Sequence, residues 1–434
     1  MNAERTPTDR SPDGPPAGPT RSRRGLVGLL TAQAVSLTGT RISAIALPWF
    51  VLVSTGSATA TGMVAFAEMA PYVVVKALTG PLVDRIGARR VNIGSDLVSA
   101  VLVAAVPLLH ALDALPFGVL LALIAVLGAV RGPGDSAKEV LIPDVVAAAQ
   151  VPIERATGLS GTIERLASTI GPAAAGAIVA LLGPLTALIL DAVSFVLAAG
   201  IIAGTVPGGR AAPDEEESAG GYLHQLREGF DYLRGERLLR SIIGMVAVTN
   251  LLDAAMASVL LPVWARESGR GPAAIGLIAA VMSALAVGGS LLAAGLAHRL
   301  PRRTTFLLGF LVAGAPRFVV LALDAPLWLV LAVFAVAGFG SGFLNPIIGA
   351  VVLERIPRRL LGRVNALGDS VAWAGIPLGG LVGGALIGVV GMSPVLLAFG
   401  AVYLVTTTLP GLRPEWKDMD RLRRRPVERV ETSP

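Results

Sequence analysis

The chain has 434 residues, of which 53% are hydrophobic and 15% charged, and its mean hydropathy is +0.70. A soluble domain does not need that much apolar side chain to fill its core, so the composition calls for lipid. The net charge of +6 comes from arginines beside apolar segments, which makes lipid headgroups and not nucleic acid the expected partner, and the lack of cysteine excludes disulfides and thiolate metal sites.

Residues 1–24 are rich in Pro, Arg, Ser and Asp without an apolar core, so they read as a disordered cytoplasmic tail and not as a signal peptide. Apolar segments long enough to cross a bilayer follow at 26–53, 58–82, 91–110, 114–137, 157–182 and 185–206. Six more lie at 239–264, 272–297, 304–323, 326–349, 364–391 and 394–412. They predict an all-α polytopic membrane protein with two six-helix bundles, residues 25–206 and 238–412. The linker 207–237 opens with Gly, Pro and the acidic run Asp214-Glu215-Glu216-Glu217. It continues with Leu223, Leu226, Phe230 and Leu233 at helical spacing, which predicts an amphipathic helix on the inner membrane surface. Residues 413–434 form a basic cytoplasmic tail.

Arginine and lysine mark alternate connections, from Arg21, Arg23 and Arg24 before span 1, through Arg85, Arg89 and Arg90 between spans 2 and 3 and Lys138 and Arg155 between spans 4 and 5, to Arg421 and Arg423 in the tail. That side is expected to be cytoplasmic, with both termini inside the cell membrane. Arg266 and Arg270, between spans 7 and 8, stand against the trend. The halves also repeat. Pro48 in Leu47-Pro48-Trp49 is in register with Pro262 in Leu261-Pro262-Val263-Trp264, Leu82-Val83-Asp84-Arg85 with Leu296-Ala297-His298-Arg299, and Pro143 with Pro357. Duplicated units of this kind place a substrate path at their interface and rock about a site near the midplane.

Between spans 2 and 3 runs Gly80-Pro81-Leu82-Val83-Asp84-Arg85-Ile86-Gly87-Ala88-Arg89-Arg90. It resembles the pattern G-x-L-x-D-R-x-G-x-R-R of the major facilitator superfamily, which implies the major facilitator fold with 12 transmembrane helices. Gly80 is expected where two helices approach closely, the arginines hold the loop in the anionic interface, and Asp84 is the one acid of a cytoplasmic gate. In span 5, Gly158, Gly171, Pro172 and Gly176 are similar to the antiporter pattern G-x8-G-x3-G-P-x2-G-G of drug-proton exporters, with Ala167 and Ala175 in place of two glycines. Such a helix can bend; plain small-residue packing is the other reading. Arg41 before Ala46-Leu47-Pro48-Trp49, Leu190-Asp191-Ala192-Val193-Ser194-Phe195, Glu354-Arg355-Ile356-Pro357 and Gly362-Arg363-Val364 narrow the resemblance to bacterial enterobactin-type exporters and macrolide efflux proteins. That group implies efflux of hydrophobic antibiotics, siderophores or related small molecules coupled to proton influx. Substrate and protons are then the expected partners, no cofactor is expected, and the chain is expected to act as a monomer.

Ionisable residues inside spans are costly in hydrocarbon and therefore candidates for function. Arg41 and Glu68 each lie roughly 22 Å of helix from the cytoplasmic end of their span and are expected to meet, with Glu68 either a proton carrier or half of a static pair. Asn250 and Asp253 share a face of span 7. Asp253 is the rival proton site, a selector of cationic substrates, or a structural partner of Arg317 in span 9. Glu164 shares a face with Ser160, Ser168 and Gly171 and is expected to point into the bundle. Asp96, Arg131, Asp135, Lys76 and Asp369 are placed nearer the cytoplasmic surface as gate contacts or snorkelling side chains, and Asp191 in span 6 is left without a role. An uptake carrier of the same fold is the nearest rival reading. An enzyme is disfavoured by the lack of a Ser-His-Asp, zinc-ligand or phosphate-loop set, and a channel by the lack of a repeated filter-like loop.

Overall fold

The computed structural model describes residues 22–207, 222–296, 299–357 and 360–421. Most of the expected N-terminal tail, the acidic run 214–217, His298 and the tail beyond residue 421 lie outside them. Among the described residues 12 helices are long and apolar enough to cross a membrane. Spans 1 to 6 are Arg24–Thr55, Ala58–Leu78, Ala88–Ala111, Phe117–Ala149, Ile153–Leu182 and Pro184–Thr205. Spans 7 to 12 are Arg237–Glu267, Gly271–Leu296, Arg302–Ala322, Leu327–Arg355, Leu361–Val390 and Met392–Leu412. They match the expected segments one for one, and the protein is a multi-pass membrane protein.

The ends differ where charge begins. Span 4, expected to stop at 137, runs on to Ala149, and span 10, expected to stop at 349, runs to Arg355. Hydropathy marks the lipid boundary, whereas the backbone keeps its own hydrogen bonds and carries the helix past it. Lys138 therefore belongs to a helix and not to a connection. Outward-facing side chains such as Leu181 and Val389, each 82% exposed, form apolar surface of a kind that water-soluble monomers do not carry and a bilayer covers.

The two halves touch most closely at the end opposite the basic connections. A Cβ on Gly62 would lie 2.2 Å from the Gly380 carbonyl oxygen, one on Gly384 2.4 Å from that of Ala58, and one on Gly276 2.3 Å from that of Pro172. Spans 2 and 11, and spans 5 and 8, are thus in backbone contact there, which only glycine permits. Toward the basic end Gly158 and Gly161 in span 5, and Gly288 and Gly295 in span 8, have nothing within 4 Å of a Cβ position. Span 7 is interrupted by a π turn, Met256–Leu260, just before Pro262, where the missing proline N–H would leave an α-helical carbonyl without a donor.

The linker helix, Tyr222–Gly235, packs on the second half. Leu233 is buried while Phe230 is exposed, Gly229 sits against Leu367 and Arg363, and the Tyr232 hydroxyl donates to the Arg355 carbonyl at 2.6 Å. Arg355 also pairs with Glu236 at 2.9 Å. Its buried face, at Gly229 and Leu233, is covered by protein, and Phe230 stands on the exposed face.

Candidate functional site

Glu68 lies midway along span 2, and Arg131 Nη1 donates to its Oε1 at 2.8 Å. Two glycines of span 4 make this possible. A Cβ on Gly128 would lie 2.0 Å from the Glu68 carbonyl oxygen, and one on Gly132 3.0 Å from the Lys76 nitrogen and the Tyr72 oxygen. The backbones touch, and Arg131, between the glycines, is set opposite Glu68. One turn on, Asp135 accepts from the Tyr72 hydroxyl at 3.1 Å and faces Lys138 Nζ at 3.7 Å. Lys138 is also 3.6 Å from Asp96 and donates to Ser36 at 3.0 Å.

Two expectations are corrected here. Arg41 and Glu68 do not pair: Arg41 donates to the Ser168 hydroxyl at 2.8 Å, and its stem crosses Gly171, where a Cβ would lie 2.9 Å from Arg41 Cγ. Span 1 packs against spans 5 and 6, while span 2 packs against span 4, so neighbours in sequence are not neighbours in charge. Arg131, placed nearer the cytoplasmic surface by sequence, lies midway along span 4 and is largely buried; Asp96 is buried as well, in the half of span 3 nearer the basic loop, where sequence places it. With span 4 starting at Phe117, Arg131 is about 14 residues, or roughly 21 Å, into the helix.

Asp191, without a role from sequence, is 1% exposed. It accepts from the Ser43 hydroxyl and from Ser194 Oγ at 3.3 Å. A Cβ on Gly39 would lie 2.3 Å from its Oδ1, so spans 1 and 6 close tightly on this carboxyl. A void of about 10 Å³ is lined by Ser43, Glu68, Arg131 and Asp191 together with Leu47 and Phe195. A single serine in span 1 carried no signal for this contact, because the close approach of spans 1 and 6 is made at Gly39.

In the second half Arg317 Nη2 donates to Asp253 Oδ1 at 2.6 Å. The arginine side chain is 5% exposed and the aspartate 41%, so one face of the pair is accessible. The guanidinium lies 5.7 Å from the Tyr403 ring centre, in the range of a cation–π contact, and a Cβ on Gly314 would lie 2.1 Å from that ring. Asn250 donates to the Ala372 carbonyl at 2.9 Å and ties span 7 to span 11.

The loop motif is spread out. Gly80 has open space around it and not the close helix approach expected of it. Asp84, Arg85 and Arg90 are exposed, and no ion pair joins Asp84 to another described residue. Gly87, at φ +91°, takes a conformation that other residues rarely adopt and joins the short helix Gly80–Ile86 to span 3. Arg89 donates to the Ala203 carbonyl at 2.6 Å. In span 5, Gly158 has open space, Gly171 makes room for Arg41, and Pro172 and Gly176 meet Gly276 of span 8. Glu164 is exposed and acts electrostatically on Arg41.

A family model described as transmembrane secretion effector matches residues 22–433. The multidrug efflux pump Tap of Mycobacterium tuberculosis is 32% identical over 398 residues, 90% of this chain and 94% of that protein. Tap of Mycolicibacterium fortuitum is 32% identical over 412 residues, 92% of this chain and 98% of that one. The crystal structure of the nucleoside transporter NupG superposes with a TM-score of 0.71 at 14% identity, covering 89% of this chain and 98% of that chain, which speaks for the fold alone. With 12 spans in this arrangement and a match over nearly its whole length, the chain belongs to the transmembrane secretion effector family of major facilitator transporters.

Proposed function

We propose that this transporter is a proton-coupled exporter of hydrophobic small molecules that works by alternating access as a monomer. One observation carries the reading. The halves are sealed at one end by glycine contacts, and beyond that seal each half holds one ion pair at mid-depth, Glu68 with Arg131 and Asp253 with Arg317. Charges at that depth are costly and mark substrate and ion routes. That the Tap relatives are multidrug efflux pumps favours export over uptake.

With the basic connections on the cytoplasmic side and both termini inside, the sealed end is the outer one and this is the inward-open form, in which substrate loads from the cytoplasm or inner leaflet. Asp253, Glu164 and Asn250 supply polar contacts within a largely aliphatic cleft. Closure at the inner end brings Asp84 and its basic loop toward the second half. In the outward-open form a proton binds Glu68, removes its charge and frees Arg131, and substrate leaves.

The test is transport in proteoliposomes under an imposed pH gradient, scored with a panel of hydrophobic antibiotics. Glu68→Gln, a mimic of the protonated acid, is expected to retain substrate binding and downhill exchange and to lose uphill transport. Uphill transport at the wild-type rate by this variant would move the proton site to Asp253. Wild-type transport indifferent to the gradient would overturn proton coupling, and substrate expelled from inverted vesicles would overturn export.

A further inference from the structure

Asp191 is buried at 1% exposure, with hydroxyls of Ser43 and Ser194 as its partners and no lysine or arginine within ion-pair distance among the described residues. Every charged group near it is otherwise engaged. From span 1, Arg41 is bonded to Ser168; in span 3, Asp96 is beside Lys138 of span 4; in span 5, Glu164 is exposed and acts on Arg41, and Arg165 is exposed. Across the void stand Glu68 of span 2 and Arg131 of span 4, bonded to each other. A carboxylate buried there has no cation in contact to offset the cost of its charge.

The void that separates Asp191 from the Glu68–Arg131 pair is about 10 Å³, near the size of one water. Asp191 itself is held by Gly39 and the two serines. Arg131 has a long side chain with several rotatable bonds, so it is the group that can turn across that space.

We propose that Asp191 is a second proton site that exchanges Arg131 with Glu68. While Arg131 is bonded to Glu68, Asp191 holds a proton; the exchange passes that proton across the void to Glu68, and Arg131 turns to Asp191, which becomes the arginine's partner. One O–H bond forms at Glu68 and one breaks at Asp191, so the net charge of the cluster is unchanged and burial never leaves Arg131 without a carboxylate. This rests on the proton-coupled reading above and names where the proton waits.

Infrared difference spectroscopy on the purified full-length protein in lipid nanodiscs tests it without any substrate. Wild type at neutral pH is expected to show a protonated-carboxyl C=O band that Asp191→Asn removes and that Ser43→Ala moves to higher frequency by deleting a hydrogen bond. Glu68→Gln is expected to abolish the same band, because Arg131, deprived of its carboxylate, turns to Asp191. A wild type without the band, or a band that survives in Glu68→Gln, overturns the exchange. Should Asp191→Asn fail to fold, the shift in Ser43→Ala assigns the band, and no shift there overturns the assignment. The expected bands in a protein whose transport ignores the pH gradient would sink the exporter mechanism and leave the exchange standing; coupled transport without an Asp191 band would sink the exchange alone.

Discussion

Arg131 reaches Glu68 at 2.8 Å because Gly128, one turn before it, has its α-carbon where a Cβ would stand 2.0 Å from the Glu68 carbonyl oxygen. The charge pair and the bare backbone contact are one device. Span 4 can bring a guanidinium to mid-membrane only if spans 2 and 4 leave no room for lipid or water between them, and glycine supplies that closeness. The ion pair in turn gives the close approach a direction, since van der Waals contact alone does not fix register.

Gly128→Ala is expected to separate spans 2 and 4, because the atom it would strike is backbone and cannot swing away. Overpacking of this kind costs about 1–3 kcal/mol. Gly118→Ala in the same helix, with nothing within 4 Å, should be neutral or slightly stabilising, as alanine is the better helix former. Thermal unfolding in detergent compares the two. Equal melting temperatures would mean that the spans are not in backbone contact.

Arg317 is buried and Asp253 is its carboxylate partner. Asp253→Asn leaves an uncompensated guanidinium inside the bundle, a change that costs about 3–5 kcal/mol when the pair is well buried, here less because the aspartate is partly accessible. Asp253→Asn with Arg317→Met removes both charges and should recover most of that stability. A double variant less stable than Asp253→Asn alone would show that Arg317 is held by packing on Tyr403 and not by charge.

The number and order of the spans were legible because a bilayer demands apolar length, and composition reports that directly. The pairing of Asp253 with Arg317 was legible for a related reason: both lie at mid-depth in helices with few other charges. Arg131 was misplaced because hydropathy ended span 4 at 137, so a residue in the middle of a helix running to Ala149 was counted as near its end. The Arg41–Glu68 pairing failed on a different ground. Depth along a helix can be counted from sequence, but which face meets which depends on Gly39, Gly128 and Gly171, each of which reads in the sequence as one small residue among 51 glycines.

Asp84 is exposed and without an ion pair among the described residues, so Asp84→Asn should leave the stability of this form within about 0.5 kcal/mol of wild type. If Asp84 closes the inner gate, the same change disfavours the other access state and enriches the open one. A cysteine placed at Thr162, exposed in span 5, should then react faster with a membrane-impermeant maleimide in inverted vesicles. Unchanged labelling together with unchanged transport would remove Asp84 from the gate.

Basic residues on alternate connections, which lie on one side of the membrane, are the ground for proposing that both termini are cytoplasmic. Epitope tags at either end should be detected in permeabilised cells and be silent in intact ones. Detection of one tag from outside would invert the assignment of sealed and open ends used for the transport cycle.

The sealed end offers the most direct test of alternating access. A Cβ on Gly388 in span 11 would lie 2.9 Å from Thr59 Oγ1 in span 2, and Thr59 already donates to the Gly384 carbonyl at 3.1 Å. Cysteines at these two positions fall within reach of the roughly 3.5–4.5 Å Cβ separation that a disulfide needs. The chain has no cysteine of its own, so no competing thiol interferes. Thr59→Cys with Gly388→Cys is expected to form a disulfide in mild oxidant, to stop transport and to regain it on reduction, because the halves must part at this end to release substrate. Each single variant should be insensitive to oxidant. A cross-linked double variant that still transports at the wild-type rate would mean that this end never opens, and the rocking mechanism would have to be replaced by one in which the spans of a single half move.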